Sequence, residues 1–327
     1  MVNSWTLAAA PRLDGKVAIV TGATGGLGFA TAIGLARLGA TTVLAGRNPD
    51  KGANAVARIR REIPAAKVSF EPLDLNSLAS VARFAAAQAG AIDILVNNAA
   101  VMGLPVRERT EDGFERQIGV NYLGHFALTL RLLNALRAAS GGARVVTIAS
   151  LAHRRATLEL DDLQSERSYN PMRAYARSKL ATLMFAIELQ RRAEQKGWRL
   201  RSMAAHPGWA RTDIIANGIG SGGPGIKALL AETAFNLVAQ SATDAALPVL
   251  LAATAPDAKG GAYYGPTGWG ETRGAPGVAK IFPQAADPVA AARLWALSET
   301  LTGQSPTGQT PTGQTPTGHP PVSASGG

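Results

Sequence analysis

Short apolar runs alternate with longer amphipathic stretches through the first two thirds of the chain. "KVAIV" (16–20) predicts a strand, and "GFATAIGLARLG" (28–39) predicts a helix that stops at Gly39. "TTVLAG" (41–46) predicts the next strand and "PDKGANAVARIRREI" (49–63) the next helix. The alternation continues with "AKVSFEPLD" (66–74), the helical "NSLASVARFAAAQA" (76–89) and "IDILVNNAA" (92–100). Helices are expected around 111–138 and 172–196, ahead of strands at "ARVVTIAS" (143–150) and "WRLRSMAAHPG" (198–208). Strands that are apolar on both faces, separated by helices, predict an α/β fold with a doubly wound parallel sheet. Its crossovers should be right-handed, and its ligand should sit at the carboxyl ends of the strands.

The two ends read differently. Residues 1–12 look like an N-terminal arm, and 13–301 like a single domain. From Thr302 to Pro321 a five-residue repeat of Thr, Gly, Gln, Ser and Pro appears, with one His. Such a segment buries too little apolar surface to offset its ordering entropy, so 302–327 is expected to be a disordered tail.

Composition removes several chemistries. The chain has no cysteine, which excludes disulfides, thiolate nucleophiles and cysteine-rich zinc sites. Its four histidines, at 125, 153, 206 and 319, are scattered without metal-ligand spacing, so no metal is expected. No apolar run is long enough for a membrane span, and the N-terminus lacks a basic leader. The expectation is a cytoplasmic protein. The net charge of +10 raises the question of nucleic acid. Basic residues are spread thinly, without long runs or interleaved aromatics, so no nucleic-acid partner is expected.

"KVAIVTGATGGLGFATA" places a glycine-rich turn between the first strand and the first helix. Gly22 would permit the tight turn, while Gly26 and Gly28 would let a pyrophosphate approach and the helix pack closely. The helix N-terminus then offers free N–H groups to phosphate. The spacing also fits a second pattern that runs through Gly25. The second strand ends "LAGRN": Gly46 stands where an acid would grip a ribose 2′-hydroxyl, and Arg47 follows. An Arg pairs well with a 2′-phosphate, so NADP(H) is expected rather than NAD(H).

The glycine turn, Asp74 in "LDL", "NNAA" (97–100), "YARSK" (175–179) and "HPGWART" (206–212) occur in the order seen in short-chain dehydrogenases/reductases. The chain resembles that family over nearly all of 13–301. "GVNYLGHF" (119–126), "SLAHR" (150–154) and "LDDLQSERSYNPMRAYARSKLA" (160–181) resemble its retinol-dehydrogenase-like branch and bacterial relatives. The extended, epimerase-type branch is disfavoured by "NNAA" and by the Ser in "YARSK".

The resemblance implies a Rossmann fold and a catalytic tetrad of Asn121, Ser150, Tyr175 and Lys179. When hydride reaches a carbonyl carbon, the oxygen needs a proton. A phenol can supply it, and an ammonium one helical turn away should lower the phenol pKa. Ser150 would donate to the developing oxyanion, and Asn121 would interrupt its helix and hold a water that relays protons to Lys179. The implied cofactor contacts are Gly22, Thr24, Gly26, Leu27, Gly28, Arg47, Asn48, Asp74, Leu75, Asn98, Ala99, Ala100, Tyr175, Lys179, Pro207, Gly208 and Thr212. His206 reads as structural, and His153 as at most a pocket residue.

Ser150 and Tyr175 are 25 residues apart, about twice the family's usual spacing. The inserted stretch should rim the pocket or cover the helix used by relatives to dimerise, so a homodimer and a monomer both stay open. Residues 213–240, Gly-rich and then apolar, are expected to be a mobile lid over a bulky, mostly apolar carbonyl or alcohol. A catalytically silent NADPH-binding sensor or partner-binding module is the competing reading.

Overall fold

The structure is a computed structural model that describes residues 5–209 and 240–306. Eight strands form one sheet in the order β3-β2-β1-β4-β5-β6-β7-β8. They are β1 (Val17–Thr21), β2 (Thr41–Gly46), β3 (Val68–Pro72), β4 (Ile94–Asn97), β5 (Ala143–Ile148), β6 (Leu200–Ala205), β7 (Tyr263–Pro266) and β8 (Pro276–Val278). β1 to β7 pair in parallel, with registers such as Ile19↔Val43 and Val20↔Val96. β8 runs antiparallel to β7, an edge that the sequence pattern did not suggest.

The strand order reverses between β1 and β4, which opens a crevice at their carboxyl ends. Both faces of the sheet are covered. One carries α1 (Gly26–Arg37), α2 (Pro49–Glu62) and α8 (Ala242–Thr254), packed around Ile33, Leu35, Ile59 and Leu250. The other carries α3 (Leu78–Ala87), α5 (Gly124–Arg131), α7 (Pro171–Gln195) and α10 (Pro288–Thr302). Trp295 of α10 stacks on Phe185 of α7 at 5.8 Å and meets Phe126 of α5 at 5.0 Å. Helix starts follow local chemistry: Asn48, Asn170 and Asp287 cap α2, α7 and α10, each with Pro at the start of the helix.

Several expected boundaries shift. The 111–138 helix is instead α4 (Arg116–Ile118), a π turn at Gly119–Leu123, then α5 and α6 (Leu133–Arg137). Thr302 is not part of a disordered tail. It is buried, donates to the Ser298 carbonyl, and ends α10 before the left-handed Gly303. Residues 307–327 lie outside the described residues. In the arm, Trp5, Leu7 and Ala10 pack against the α1/α8 face of the core.

The insertion lies along the outer face of α7. The Arg177 guanidinium donates to the Asp162 carbonyl at 2.6 Å, to Ser165 Oγ at 3.0 Å and to Glu159 at 2.8 Å. The Glu159–Ser165 part of the insertion thus packs on α7.

Candidate active site

The turn after β1 resolves the glycine ambiguity. Gly22 and Gly26 have φ of +65° and +51°, a region that favours glycine. Gly25 is extended, as any residue can be. A Cβ at Gly28 would lie 2.4 Å from both the Gly22 carbonyl oxygen and Asn98 Nδ2. The pattern that matters is therefore Gly22, Gly26 and Gly28. No side chain among the described residues caps α1, so its first N–H groups have no side-chain partner there. Thr24 reaches toward Gly46, where an added Cβ would lie 3.4 Å from Thr24 Cγ2. The Leu27 side chain is buried in the core.

At the end of β2, Arg47 is exposed and has no ion-pair partner among the described residues. Asn48 serves as the cap of α2: its Oδ1 accepts the Lys51 amide at 2.9 Å. After β3, Asp74 Oδ1 accepts the Asn76 amide at 2.9 Å, and Leu75 is buried.

At the end of β4, Asn98 Nδ2 donates to the Thr21 carbonyl at 2.7 Å, and the Asn98 and Ala99 amides donate to Thr21 Oγ1. These bonds pin the β4 loop to the glycine turn across the crevice. Ala99 and Ala100 are half-buried there.

Asn121 sits inside the π turn, so the expected interruption of the helix is present. Its side chain is fully used. Oδ1 accepts the Val101 amide at 2.8 Å, and Nδ2 donates to the Val101 carbonyl and to Ser178 Oγ, both at 2.9 Å. The side chain thus ties the β4 loop to α7 beside Lys179.

Ser150 follows β5. Its Oγ accepts the Ala152 amide at 3.2 Å, capping a 3₁₀ turn, and its side chain lies near enough to the Tyr175 phenol to favour the phenolate. Tyr175 and Lys179 lie one turn apart on α7, with Nζ 5.9 Å from the phenol ring centroid. Lys179 Nζ donates to the Ile148 carbonyl at 2.8 Å. Ser150, Tyr175 and Lys179 thus converge at the carboxyl edge of β5.

The electrostatics depart from the expectation for Tyr175. Burial raises its pKa, opposed only by the neighbouring Ser150 side chain. Burial also pushes the Lys179 ammonium down to about 7. Both groups are buried, and desolvation favours the neutral form of each. Lys179 does not hold the phenol down in this structure; it stands ready to gain or lose a proton near neutrality.

After β6, Gly208 takes φ +66°, and the Pro207 carbonyl accepts Gln240 Nε2 at 2.6 Å. Thr212 and the expected lid, apart from Gln240, lie outside the described residues. His206 is structural, as read: its Nδ1 accepts the Gly208 amide at 3.2 Å, and its Nε2 faces Glu271 at 3.3 Å. His153 Nδ1 donates to the Ser150 carbonyl at 2.6 Å and so braces the serine from behind.

Glu271 was not anticipated. It sits in the β7–β8 loop with φ +59°, costly for a non-glycine residue, and pairs with Arg154 at 2.6 Å. Burial alone would raise its pKa. The His206 bond, the Lys280 amide and the neighbouring positive charges hold it at about 2. A lone acid in a glycine-rich loop carries no sequence signal of such a role.

A family model described as short chain dehydrogenase matches residues 16–218. The chain belongs to the short-chain dehydrogenase family. Human retinol dehydrogenase 13 is 40% identical over 297 residues, 89% of this chain and 86% of that one. Mouse polyprenol dehydrogenase is 49% identical over 210 residues, 62% of each. The chain therefore matches less than two thirds of that relative's length. An uncharacterized Mycobacterium paratuberculosis protein of known structure is 38% identical, with a TM-score of 0.77. That match covers 94% of this chain and all of the other. A Shigella flexneri short chain dehydrogenase complexed with NADP is 25% identical with a TM-score of 0.59, over 77% of this chain and 96% of that one.

Proteins of this family use a nicotinamide cofactor. The β1–α1 turn fits such a group: its glycines leave no Cβ to block the crevice, and the helix N-terminus offers N–H donors without a side-chain cap.

Proposed function

We propose that this dehydrogenase uses NADP(H) to interconvert a bulky, mostly apolar alcohol and its carbonyl compound. The convergence of Ser150, Tyr175 and Lys179 at the edge of β5 carries the reading of the reaction. When bound, the nicotinamide supplies or accepts the hydride. In the reducing direction, the Tyr175 hydroxyl gives its proton to the carbonyl oxygen as the C–H bond forms. Ser150 orients that hydroxyl and donates to the same oxygen. Lys179, poised near neutrality, returns a proton toward Tyr175.

Preference for NADP(H) is supported by Gly46, by Arg47, which has no ion-pair partner among the described residues, and by a similar protein solved in complex with NADP. An apolar substrate is supported by relatives named for retinol and polyprenol. A panel of retinal, a polyprenal, steroid ketones and small aliphatic ketones, run with NADPH and with NADH, tests both points. The proposal expects turnover of a bulky member with NADPH. Preference for NADH, or for small polar ketones, would overturn it.

A further inference from the structure

The tetrad leaves one buried histidine without a role. His125 lies four residues after Asn121 in α5 and is 1% exposed. Its Nδ1 is 3.0 Å from the Asn121 carbonyl oxygen, and its Nε2 is 2.9 Å from Thr21 Oγ1. Counting protons assigns both bonds. A carbonyl oxygen only accepts, so Nδ1 carries the hydrogen. Nε2 of the neutral ring then accepts, and the Thr21 hydroxyl donates to it.

Thr21 leads to the same assignment independently. Its Oγ1 already accepts the Asn98 and Ala99 amides at 2.8 and 2.9 Å. Its single proton can go to His125 Nε2 at 2.9 Å or to the Val96 carbonyl at 3.4 Å, and the shorter contact is the better bond. Burial pushes the imidazole pKa down to about 4, which keeps the ring neutral as this bonding needs.

A continuous path results. It runs from the Asn98–Ala99 amides through Thr21 and His125 to the Asn121 carbonyl. One end is the crevice that fits the cofactor. The other is the π turn whose Asn121 side chain binds Ser178, next to Lys179. A residue that only filled space would need neither nitrogen.

We propose that His125 is a positioning residue that joins the two halves of the site. Its Nδ1–H fixes the Asn121 carbonyl on the catalytic side, and its Nε2 fixes the Thr21 hydroxyl that pins the cofactor-side loop. The catalytic half rests on the oxidoreductase reading above; the cofactor half does not.

Two amide substitutions separate the halves in the full-length protein. His125→Asn keeps a donor near the Nδ1 position and loses the acceptor for Thr21. His125→Gln keeps an acceptor near Nε2 and loses the donor to Asn121. The readouts are the NADPH Kd, by fluorescence titration without turnover, and kcat with a carbonyl compound reduced by the wild type. One buried hydrogen bond leads us to expect His125→Asn to raise Kd about tenfold while moving kcat much less. His125→Gln should lower kcat about tenfold and move Kd much less. Equal movement of both constants in both variants, or lower melting temperatures with neither constant moved, would overturn the proposal.

Thr21 keeps the test decisive if a His125 variant fails to fold. Thr21→Val should raise the NADPH Kd as His125→Asn does, and Thr21→Ser should restore it. Equal Kd values for Thr21→Val and Thr21→Ser would overturn the cofactor half. Absence of wild-type turnover on every alcohol and carbonyl compound would defeat the oxidoreductase reading instead, while the Kd comparison would still judge Thr21 and His125.

Discussion

Replacing Lys179 with Met should change how stability depends on pH, with a sign fixed by the structure. Lys179 is 3% exposed, and burial takes its pKa from 10.5 to about 7. Between pH 7 and 10.5 the unfolded chain binds more protons at this side chain than the folded one does. Stability therefore rises with pH across that window. Below pH 7 both states are protonated, and the folded state carries the whole desolvation cost, about 5 kcal/mol for a depression of that size. Lys179→Met removes that cost and also loses the bond to Ile148, worth about 1 kcal/mol. The variant should be several kcal/mol more stable than the wild type at pH 6, and slightly less stable by pH 10.5. Urea unfolding of both proteins without cofactor, at pH 6, 8 and 10, reads the difference, and groups common to both cancel. A constant offset at all three values would refute the claim that burial sets the state of Lys179.

Other outcomes follow from single contacts. Arg47→Asp should raise the KM for NADPH by about tenfold to a hundredfold and barely move that for NADH, since a charge-assisted pair becomes a repulsion; steady-state kinetics with both coenzymes check this. Gly28→Ala puts a methyl group 2.4 Å from a backbone carbonyl, so it should weaken NADPH binding and cost about 1–3 kcal/mol of stability, measured by titration and by unfolding. Glu271→Gln should destabilise the β7–β8 loop by about 2 kcal/mol at pH 7, below the full value implied by its pKa because the side chain is 20% exposed. Its folded pKa lies below the usual 4.5, so the contribution is complete above 4.5 and fades as pH falls toward 2, which melting curves of the pair would show.

The first six strands were legible as short, largely apolar runs that alternate with helical patterns. The convergence of Ser150, Tyr175 and Lys179 was legible because a phenol and an ammonium stand one turn apart and follow a glycine turn in the family's order. The last two strands were not. "YYGP" and "PGV" are short and rich in Gly and Pro; pairing of β7 with β6 and of β8 with β7 makes them strands, not propensity. α8 has Pro248 in its interior, which reads as a break. The π turn at Asn121 leaves the apolar pattern of 116–137 unbroken, so only the family resemblance marked it. The Tyr175 pKa was misread for a different reason. Spacing places the lysine beside the phenol, but only the fold reveals that both are buried deeply enough for desolvation to prevail.

The most direct test of the central claim follows a labelled hydride. NADPH deuterated at the transferring position of the nicotinamide would be mixed with a carbonyl compound and either the wild type or Tyr175→Phe, with NADPH binding measured in parallel. The account predicts deuterium on the carbinol carbon of the wild-type product. It predicts at least about a thousandfold slower transfer in the variant, as expected when the proton donor is lost, with NADPH still bound. Undiminished transfer by Tyr175→Phe, or loss of NADPH binding in place of transfer, would contradict it.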